Sequence, residues 1–243
     1  KKMRTRHSAR RCPVSLNTLA LLFAFTFRTV ATVRADTFTW DGGGTDSNWS
    51  TGANWASNVP PVTNGTAILT FSGNTRTSPI NNFDADTVFA AITFANDFST
   101  GKTAAFSLSG NRITLGGDVT ATLPTIDGTI TDQISLPILL SGGTRTFTAN
   151  LSLSKIHNLT ISGIVGGSQG LTKAGQGTLT LSGPNTYSGK TTVSAGKLYF
   201  NSIDNVGAAN SALGAPMTPA DGTIDLGGGG TLYYTGGAAT SDR

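Results

Sequence analysis

The sequence predicts an all-β protein in which short strands stack as a solenoid. Threonine, serine and glycine are abundant and glutamate is absent, a composition that favours strands and turns over helices. Apolar and polar residues alternate in short segments, and most of these segments end in a small-residue pair that contains glycine. In the middle of the chain these glycines recur about every 20 residues, a period typical of solenoids.

Period-two alternation places the predicted strands. They are Ala67–Phe71, Ala105–Leu108, Arg112–Leu115, Leu159–Ile161, Thr178–Leu181 and Lys197–Phe200. One coil buries about six apolar side chains at roughly 1.5–3 kcal/mol each, while ordering about 20 residues costs on the order of 30 kcal/mol. A lone coil is therefore unstable, and coils must stack. A β-sandwich is the alternative, because hairpins also produce alternation with glycine turns.

Residues 1–35 have the features of a signal peptide. A basic head is followed by an apolar run from Leu16 to Phe27, which is too short for a permanent membrane span. Val33-Arg34-Ala35 then supplies small residues suited to a signal peptidase, so we expect cleavage before Asp36. The predicted location is secreted or at the cell surface, with the mature part not embedded in a membrane.

The leader dominates the charge of the chain. It carries eight of the 17 Lys and Arg residues, so the predicted mature chain has nine basic residues and 13 aspartates, a net charge of −4. A nucleic-acid partner is not expected for such a chain. The single cysteine, Cys12, also lies in the leader, so the mature protein depends on packing and backbone hydrogen bonds.

Residues 36–61 are predicted to form an N-terminal cap on a solenoid that covers 62–243. The cap contains all the tryptophans, Trp40, Trp49 and Trp55, and ends in Pro60-Pro61. Solenoid ends need a protective cover. Core packing in the cap is one interpretation of these rings, and stacking on sugar rings of a carbohydrate ligand is the other.

Two catalytic motifs nearly occur between residues 166 and 201. Gly166-Gly167-Ser168-Gln169-Gly170 fits a nucleophile elbow, but a glycine-broken stretch follows Ser168 and His157 lies upstream of it. Gly183 to Thr191 resembles a P-loop, but five residues separate Gly183 from Gly189 instead of four. We interpret these glycines as backbone turns and His157 as an isolated turn residue.

The sequence gives only weak signals for a metal site or for a polysaccharide-cleaving site. Asp41, Asp46 and Asn48 could bind calcium but lack the spacing of known calcium loops, so turn formation is preferred. No metal or cofactor is expected. Polysaccharide cleavage would need positioned carboxylates. The candidate pairs are Asp84 with Asp86, expected to share a strand face, and Asp221 with Asp225; neither pair has an evident basic partner.

The segment 166–201 resembles the autotransporter-associated β-strand repeat. The residues that fill its pattern are Gly170, Leu171, Lys173, Gly175, Gly177, Thr178, Leu179, Leu181, Gly183, Asn185, Thr186, Tyr187, Gly189, Thr191, Val193, Gly196 and Leu198. This resemblance implies a right-handed parallel β-helix that serves as a passenger of a bacterial cell surface, often in adhesion. It implies structural roles for the matched residues and no catalytic site.

The expected function is that of an exported, non-enzymatic structural or adhesin-like protein. Extracellular glycans or a host cell surface are the expected partners. The alternatives are a polysaccharide-binding module and a polysaccharide lyase or hydrolase on a β-helix. Because Arg243 follows a fresh strand, we also expect a continuation of the chain to stack on the C-terminal coil.

Overall fold

The fold comes from a computed structural model that describes residues 35–96, 101, 104–122 and 127–243. The predicted signal peptide lies outside the described residues except for Ala35. The described residues belong to one compact unit that spans 33–243.

Nineteen strands make up most of the regular structure of the described residues. Their bounds are β1 Asp36–Trp40, β2 Ala67–Phe71, β3 Ile80–Asn81, β4 Thr87–Phe89, β5 Ala91–Phe94, β6 Ser107–Gly110, β7 Ile113–Leu115, β8 Val119–Ala121, β9 Gly128–Ile134, β10 Ile138–Leu140, β11 Arg145–Ser152, β12 Lys155–Ile161, β13 Val165–Gly166, β14 Leu171–Ala174, β15 Thr178–Leu181, β16 Thr191–Val193, β17 Lys197–Phe200, β18 Ile224–Leu226 and β19 Thr231–Tyr234.

The strands form three parallel stacks. The first stack contains β1, β2, β5, β8, β11, β14, β16 and β18; the second contains β3, β6, β9, β12, β15, β17 and β19; the third contains β4, β7, β10 and β13. The first and second stacks are joined by the antiparallel pair β11–β12. Every other strand pair among the described residues is parallel.

The chain visits the three stacks in a repeated order, first, second, third. We call one such passage a rung. From β2 to β13 each rung contributes one strand to each stack, for example β5, β6 and β7. Rung length varies: Leu171 pairs with Thr191, 20 residues later, and Thr191 pairs with Ile224, 33 residues later. The extra residues lie in the connections and leave the strand register intact.

The core is a column of apolar side chains between the stacks. In β2 and β15 alternate residues are buried, as the period-two pattern predicts. Inward residues of successive strands stack in register, and Leu69, Ile92 and Phe147 form part of one such row with no exposed surface. Each rung therefore covers the apolar face of the next.

The pair β11–β12 departs from this regular pattern. These two strands continue past the stacks and pair antiparallel over Asn150–Ser152 and Lys155–His157. Leu153 occupies the turn with φ of 50° and is 97% exposed. The two strands form a hairpin, here called the β11–β12 hairpin, that projects from the core.

Helical structure is minimal. A 3₁₀ turn spans Gly52–Asn54 and one short helix, α1, spans Pro219–Gly222. The Thr218 hydroxyl accepts a hydrogen bond from the Asp221 amide and so caps this helix. Within the part of the chain that the structure describes, neither helix has the length and apolar character needed to cross a membrane.

The predicted all-β class is confirmed, and the predicted strands Ala67–Phe71, Thr178–Leu181 and Lys197–Phe200 have the observed bounds of β2, β15 and β17. The strong excess of parallel pairing differs from the antiparallel sheets of a β-sandwich. Within the segment 36–61, β1 pairs parallel with β2 and so belongs to the first stack.

Candidate functional site

The polar residues of the repeat motif between Gly170 and Leu198 lie in the protein interior, and Lys173 is the first of them. Lys173 on β14 points into the core and has no exposed surface. Its ammonium donates hydrogen bonds to the carbonyl oxygens of Ala174 (2.7 Å), Gly175 (2.6 Å) and Ala195 (3.2 Å). Burial lowers the pKa of Lys173 from 10.5 to about 8. The side chain links its own rung to the next one.

Asn185 connects three successive rungs. Its Oδ1 accepts the Val165 amide at 2.8 Å and its Nδ2 donates to the Ala212 carbonyl at 2.7 Å. The side chain is completely buried. In the connection between β15 and β16, which carries Asn185, the third stack has no regular strand and only an isolated bridge between Asn185 and Ser211. The amide therefore supplies the pairing that a strand would otherwise give.

Tyr187 and Thr191 form a buried polar contact. The Tyr187 hydroxyl lies 2.7 Å from Thr191 Oγ1, and both residues have no exposed surface. Burial raises the pKa of Tyr187 to about 12, so the hydroxyl stays neutral. The Thr191 hydroxyl also lies 3.5 Å from the Leu213 carbonyl oxygen. These groups stabilise packing and are closed to a ligand.

Two glycines of the motif allow the rungs to approach each other. Gly175 and Gly196 have φ of 74° and 69°, in the left-handed region. A Cβ on Gly196 would lie 2.4 Å from the Gly175 carbonyl oxygen. Turns at these positions therefore require glycine for both conformation and space.

The three tryptophans lie inside the protein, with no exposed surface. Trp40 and Trp55 meet edge to face with ring centroids 5.2 Å apart, and Trp49 packs against Phe71 at 5.5 Å. Trp55 Nε1 donates to the Trp49 carbonyl at 2.7 Å. This burial leaves no ring face open to a ligand, which argues against the alternative interpretation that Trp40, Trp49 and Trp55 stack on sugar rings. Core packing is the arrangement that the structure has.

Asp46 organises the polar part of the same segment. Its carboxylate accepts hydrogen bonds from the Asn48 amide, the Thr51 hydroxyl and the Asn54 side chain. These bonds, led by the Asn48 amide, lower the pKa of Asp46. Asn54 is buried and its Oδ1 accepts the Gly44 amide. The network closes the loop around the tryptophans, and sequence analysis missed Asn54.

The candidate calcium ligands are accordingly used in turns. Asp41 Oδ1 accepts the Gly43 amide at 3.0 Å, an Asx-type turn. Asp46 and Asn48 bond to each other through Asn48 Nδ2 at 3.2 Å. Across the described ranges, no group of three or more His, Cys, Asp or Glu side chains is placed to hold a metal ion.

The expected position of Asp84 and Asp86 is wrong. Both lie in the turn between β3 and β4, where Asp86 has φ of 67°, so they do not share a strand face. Asp86 also has a basic partner, since Arg112 Nη2 lies 2.7 Å from Asp86 Oδ2. This hydrogen bond lowers the pKa of Asp86.

Asp221 and Asp225, the second candidate carboxylate pair, each contact a different neighbouring residue. Asp225 lies on β18 and pairs with Lys190, with Nζ 3.1 Å from Oδ2. Asp221 lies in α1, where its carboxylate accepts the Thr218 hydroxyl at 2.6 Å. Each carboxylate thus has a local partner that the sequence pattern did not reveal.

The two near-motifs of catalysis are turns and strands in the structure. Ser168 is exposed in the turn after β13, and no helix follows it. Lys190 pairs with Asp225 as described above, and Thr191 begins β16 where a P-loop would begin a helix. Neither site has the local geometry that its chemistry requires.

The interpretation of His157 as a turn residue is wrong. It lies on β12, is completely buried and contacts Asp132 on β9, which is also completely buried. His157 Nδ1 lies 2.6 Å from the Thr122 carbonyl oxygen. Asp132 Oδ1 accepts the Phe106 amide at 2.6 Å. Alternation in Lys155–Ile161 already places His157 inward, but only the strand register shows Asp132 beside it.

A shallow groove lies on the outer side of the third stack. Its volume is about 310 Å³, and its lining includes Pro137, Leu139, Ile164 and Thr186. Arg112 also lines it, with its guanidinium paired to Asp86. The groove has apolar walls and no convergent set of polar groups of the kind that orients a substrate.

Comparison with known proteins gives a family match and a curated relative. Residues 171–199 match the model of the passenger-associated-transport-repeat family. The chain carries a repeat of this family. The curated "Adhesin BmaC autotransporter" of Brucella suis biovar 1 (strain 1330) is 39% identical over 105 residues, which is 43% of this chain and 3% of that protein. The chain thus spans a small fraction of the length of this relative. No solved structure matches the chain.

The repeat folds as β14, β15, β16 and β17, together with the connection that carries Asn185 and Tyr187. The resemblance drawn from the motif is confirmed by the family match. The buried polar residues Lys173, Asn185, Tyr187 and Thr191 lie within this segment. Its motif therefore encodes contacts between rungs.

Proposed function

We propose that the chain is part of an exported, non-enzymatic, adhesin-like passenger of a bacterial surface, folded as a right-handed parallel β-helix. One observation carries this proposal: the polar residues of the repeat, Lys173, Asn185 and Tyr187, are consumed in hydrogen bonds inside the core. A motif used in this way builds a scaffold. The similarity to an autotransporter adhesin supports the surface location and the adhesive role.

The β-helix assignment rests on topology. From β2 to β13 the chain passes through the three stacks in one cyclic order, and it pairs its strands parallel at each return. Connections between parallel strands of one sheet are right-handed in almost all proteins, which supports the proposed hand. Such a rod presents its residues on long outer faces, so we place the adhesive function there.

The first stack has the most regular outer face. Thr39, Thr70, Thr93, Thr120 and Thr148 follow one another in register on successive strands. They are half-buried, as expected for outward residues between neighbours in a sheet. We call this set the threonine row. Its aligned hydroxyls suit the hydroxyl groups of an extracellular glycan, which we propose as the partner.

The proposal is tested by adhesion of beads that carry the chain to a glycan array and to epithelial cells. A triple variant, Thr70→Val, Thr93→Val and Thr120→Val, removes hydroxyls while keeping shape and β-propensity. We expect at least a tenfold loss of bound beads. Equal binding by this variant, or no binding by the parent chain, would contradict the proposal.

The matched control changes outward threonines of the second stack. Thr131, Thr160 and Thr180 are replaced by valine, and binding is expected to stay within twofold of the parent. The absence of catalysis is tested separately by incubating the chain with pectin and other polyuronates. Turnover that disappears in Asp221→Asn or Asp225→Asn would favour the lyase or hydrolase alternative.

A further inference from the structure

His157 and Asp132 form a buried pair at the base of the β11–β12 hairpin. The two residues lie on adjacent strands, β12 and β9, and neither has any exposed surface. His157 reaches Thr122 at the end of β8, while Asp132 reaches Phe106 just before β6. The pair therefore ties together four segments of the chain.

The hydrogen bonds fix how many protons the pair holds. The Thr122 carbonyl oxygen only accepts, so His157 Nδ1 must carry a proton. His157 Nε2 contacts Asp132 Oδ2, and without a further proton two lone pairs would face each other. That proton lies on Nε2 or on Oδ2. In both cases the pair is neutral overall, which suits a site that excludes water.

We propose that His157 and Asp132 form a one-proton lock that makes the stability of this fold, and of the hairpin base in particular, depend on pH near neutrality. In the unfolded chain above pH 7 the aspartate is ionised and the imidazole is neutral. Folding then takes up one proton from solvent, which is held between Nε2 and Oδ2. Linkage requires stability to fall as pH rises above about 6.5.

The surroundings of the pair agree with this assignment. Burial raises the pKa of Asp132, and the hydrogen bond and charge of His157 oppose that rise. The strands β6 and β15 contribute no titratable side chain. The charged residues on or beside the other neighbouring strands β8, β9, β11, β12 and β14 are Asp118, Asp127, Arg145, Lys155 and Lys173. Of these, Lys173 is buried, and its ammonium bonds to three carbonyl oxygens.

The test compares the chain with its Asp132→Asn variant by equilibrium denaturation at pH 5.5 and 7.5. In the variant the amide Nδ2 donates to Nε2 of a neutral imidazole and Oδ1 still accepts from Phe106, so no proton is taken up. Across this interval the unfolding equilibrium constant of the parent chain should rise about tenfold. That of the variant should fall about tenfold, because His157 of the unfolded variant binds a proton at pH 5.5, so the ratio of the two constants should change about a hundredfold. Lys173, with a pKa of about 8, is present in both proteins, so its titration cancels in the comparison.

Asp118→Asn is the matched control. Asp118 is an aspartate that accepts one hydrogen bond, from the Thr146 amide at 2.9 Å. This variant should keep the pH dependence of the parent. An equal pH response of the parent and Asp132→Asn, or loss of the response in Asp118→Asn, would overturn the lock.

A second measurement uses the parent chain alone. ¹⁵N NMR of His157 at pH 7.5 should show a proton on Nδ1, with a second proton either on Nε2 or, seen by ¹³C, on the Asp132 carboxyl group. An unprotonated Nδ1, or an ionised Asp132 beside an unprotonated Nε2, would refute the proposal even if Asp132→Asn fails to fold.

Discussion

Asn185→Ala tests the claim that the repeat motif encodes contacts between rungs. The substitution leaves the Val165 amide and the Ala212 carbonyl oxygen without partners in a completely buried site. Each unsatisfied group costs about 1–3 kcal/mol, so the expected loss of unfolding free energy is about 4 kcal/mol. For a domain of this size that corresponds to a fall in Tm of roughly 10 °C.

Calorimetry and urea denaturation followed by circular dichroism measure this loss. Asn201→Ala is the control, because Asn201 is exposed and donates one long hydrogen bond, 3.3 Å to the Ser182 carbonyl. The control should change stability by less than about 0.5 kcal/mol. If Asn185→Ala costs less than about 1 kcal/mol, or no more than the control, the amide does not hold the rungs together and the argument fails.

Three further predictions concern the core and the turns. The pKa of Lys173 is lowered to about 8, so between pH 8 and 10.5 the unfolded chain binds more protons than the folded chain. The unfolding free energy of the parent chain should therefore rise with pH relative to that of Lys173→Met, as measured by denaturation curves. A difference between the two proteins that stays constant with pH would contradict this. Trp49→Ala should lower the unfolding free energy by about 3–5 kcal/mol, measured by urea denaturation, because it opens a cavity against Phe71. Gly196→Ala should lower the unfolding free energy by about 2 kcal/mol or more, as measured by thermal unfolding. The loss should exceed that of Gly207→Ala, because Gly207 has a similar φ of 84° but open space around the new Cβ. Equal losses would show that crowding at Gly196 is unimportant.

The strands that were predicted well share one property. β2, β15 and β17 have four or five residues in strict alternation, followed by a turn with a small residue. β3 and β13 have two residues each, which is too short to show any period. Their position is set by pairing with strands of neighbouring rungs, and that information is absent from a local pattern.

The polar interior was harder to predict for the same reason. His157 sits at an inward position of an alternating segment, but a polar residue there breaks the apolar pattern and suggested a turn. Its partner Asp132 lies 25 residues away and becomes adjacent only through the register of β9 and β12. Asn54 and Asp46 meet through a loop closure that likewise has no local signature.

The tolerance of the fold to changes in length follows from the register of the stacks. Deletion of Thr172 from β14 would turn Lys173 from the interior to the solvent side, because successive residues of a strand face opposite sides. Removal or duplication of one complete rung would instead preserve each side chain's orientation and disturb only two interfaces. Proteins of this architecture can therefore change length by whole rungs while their individual strands tolerate almost no insertion.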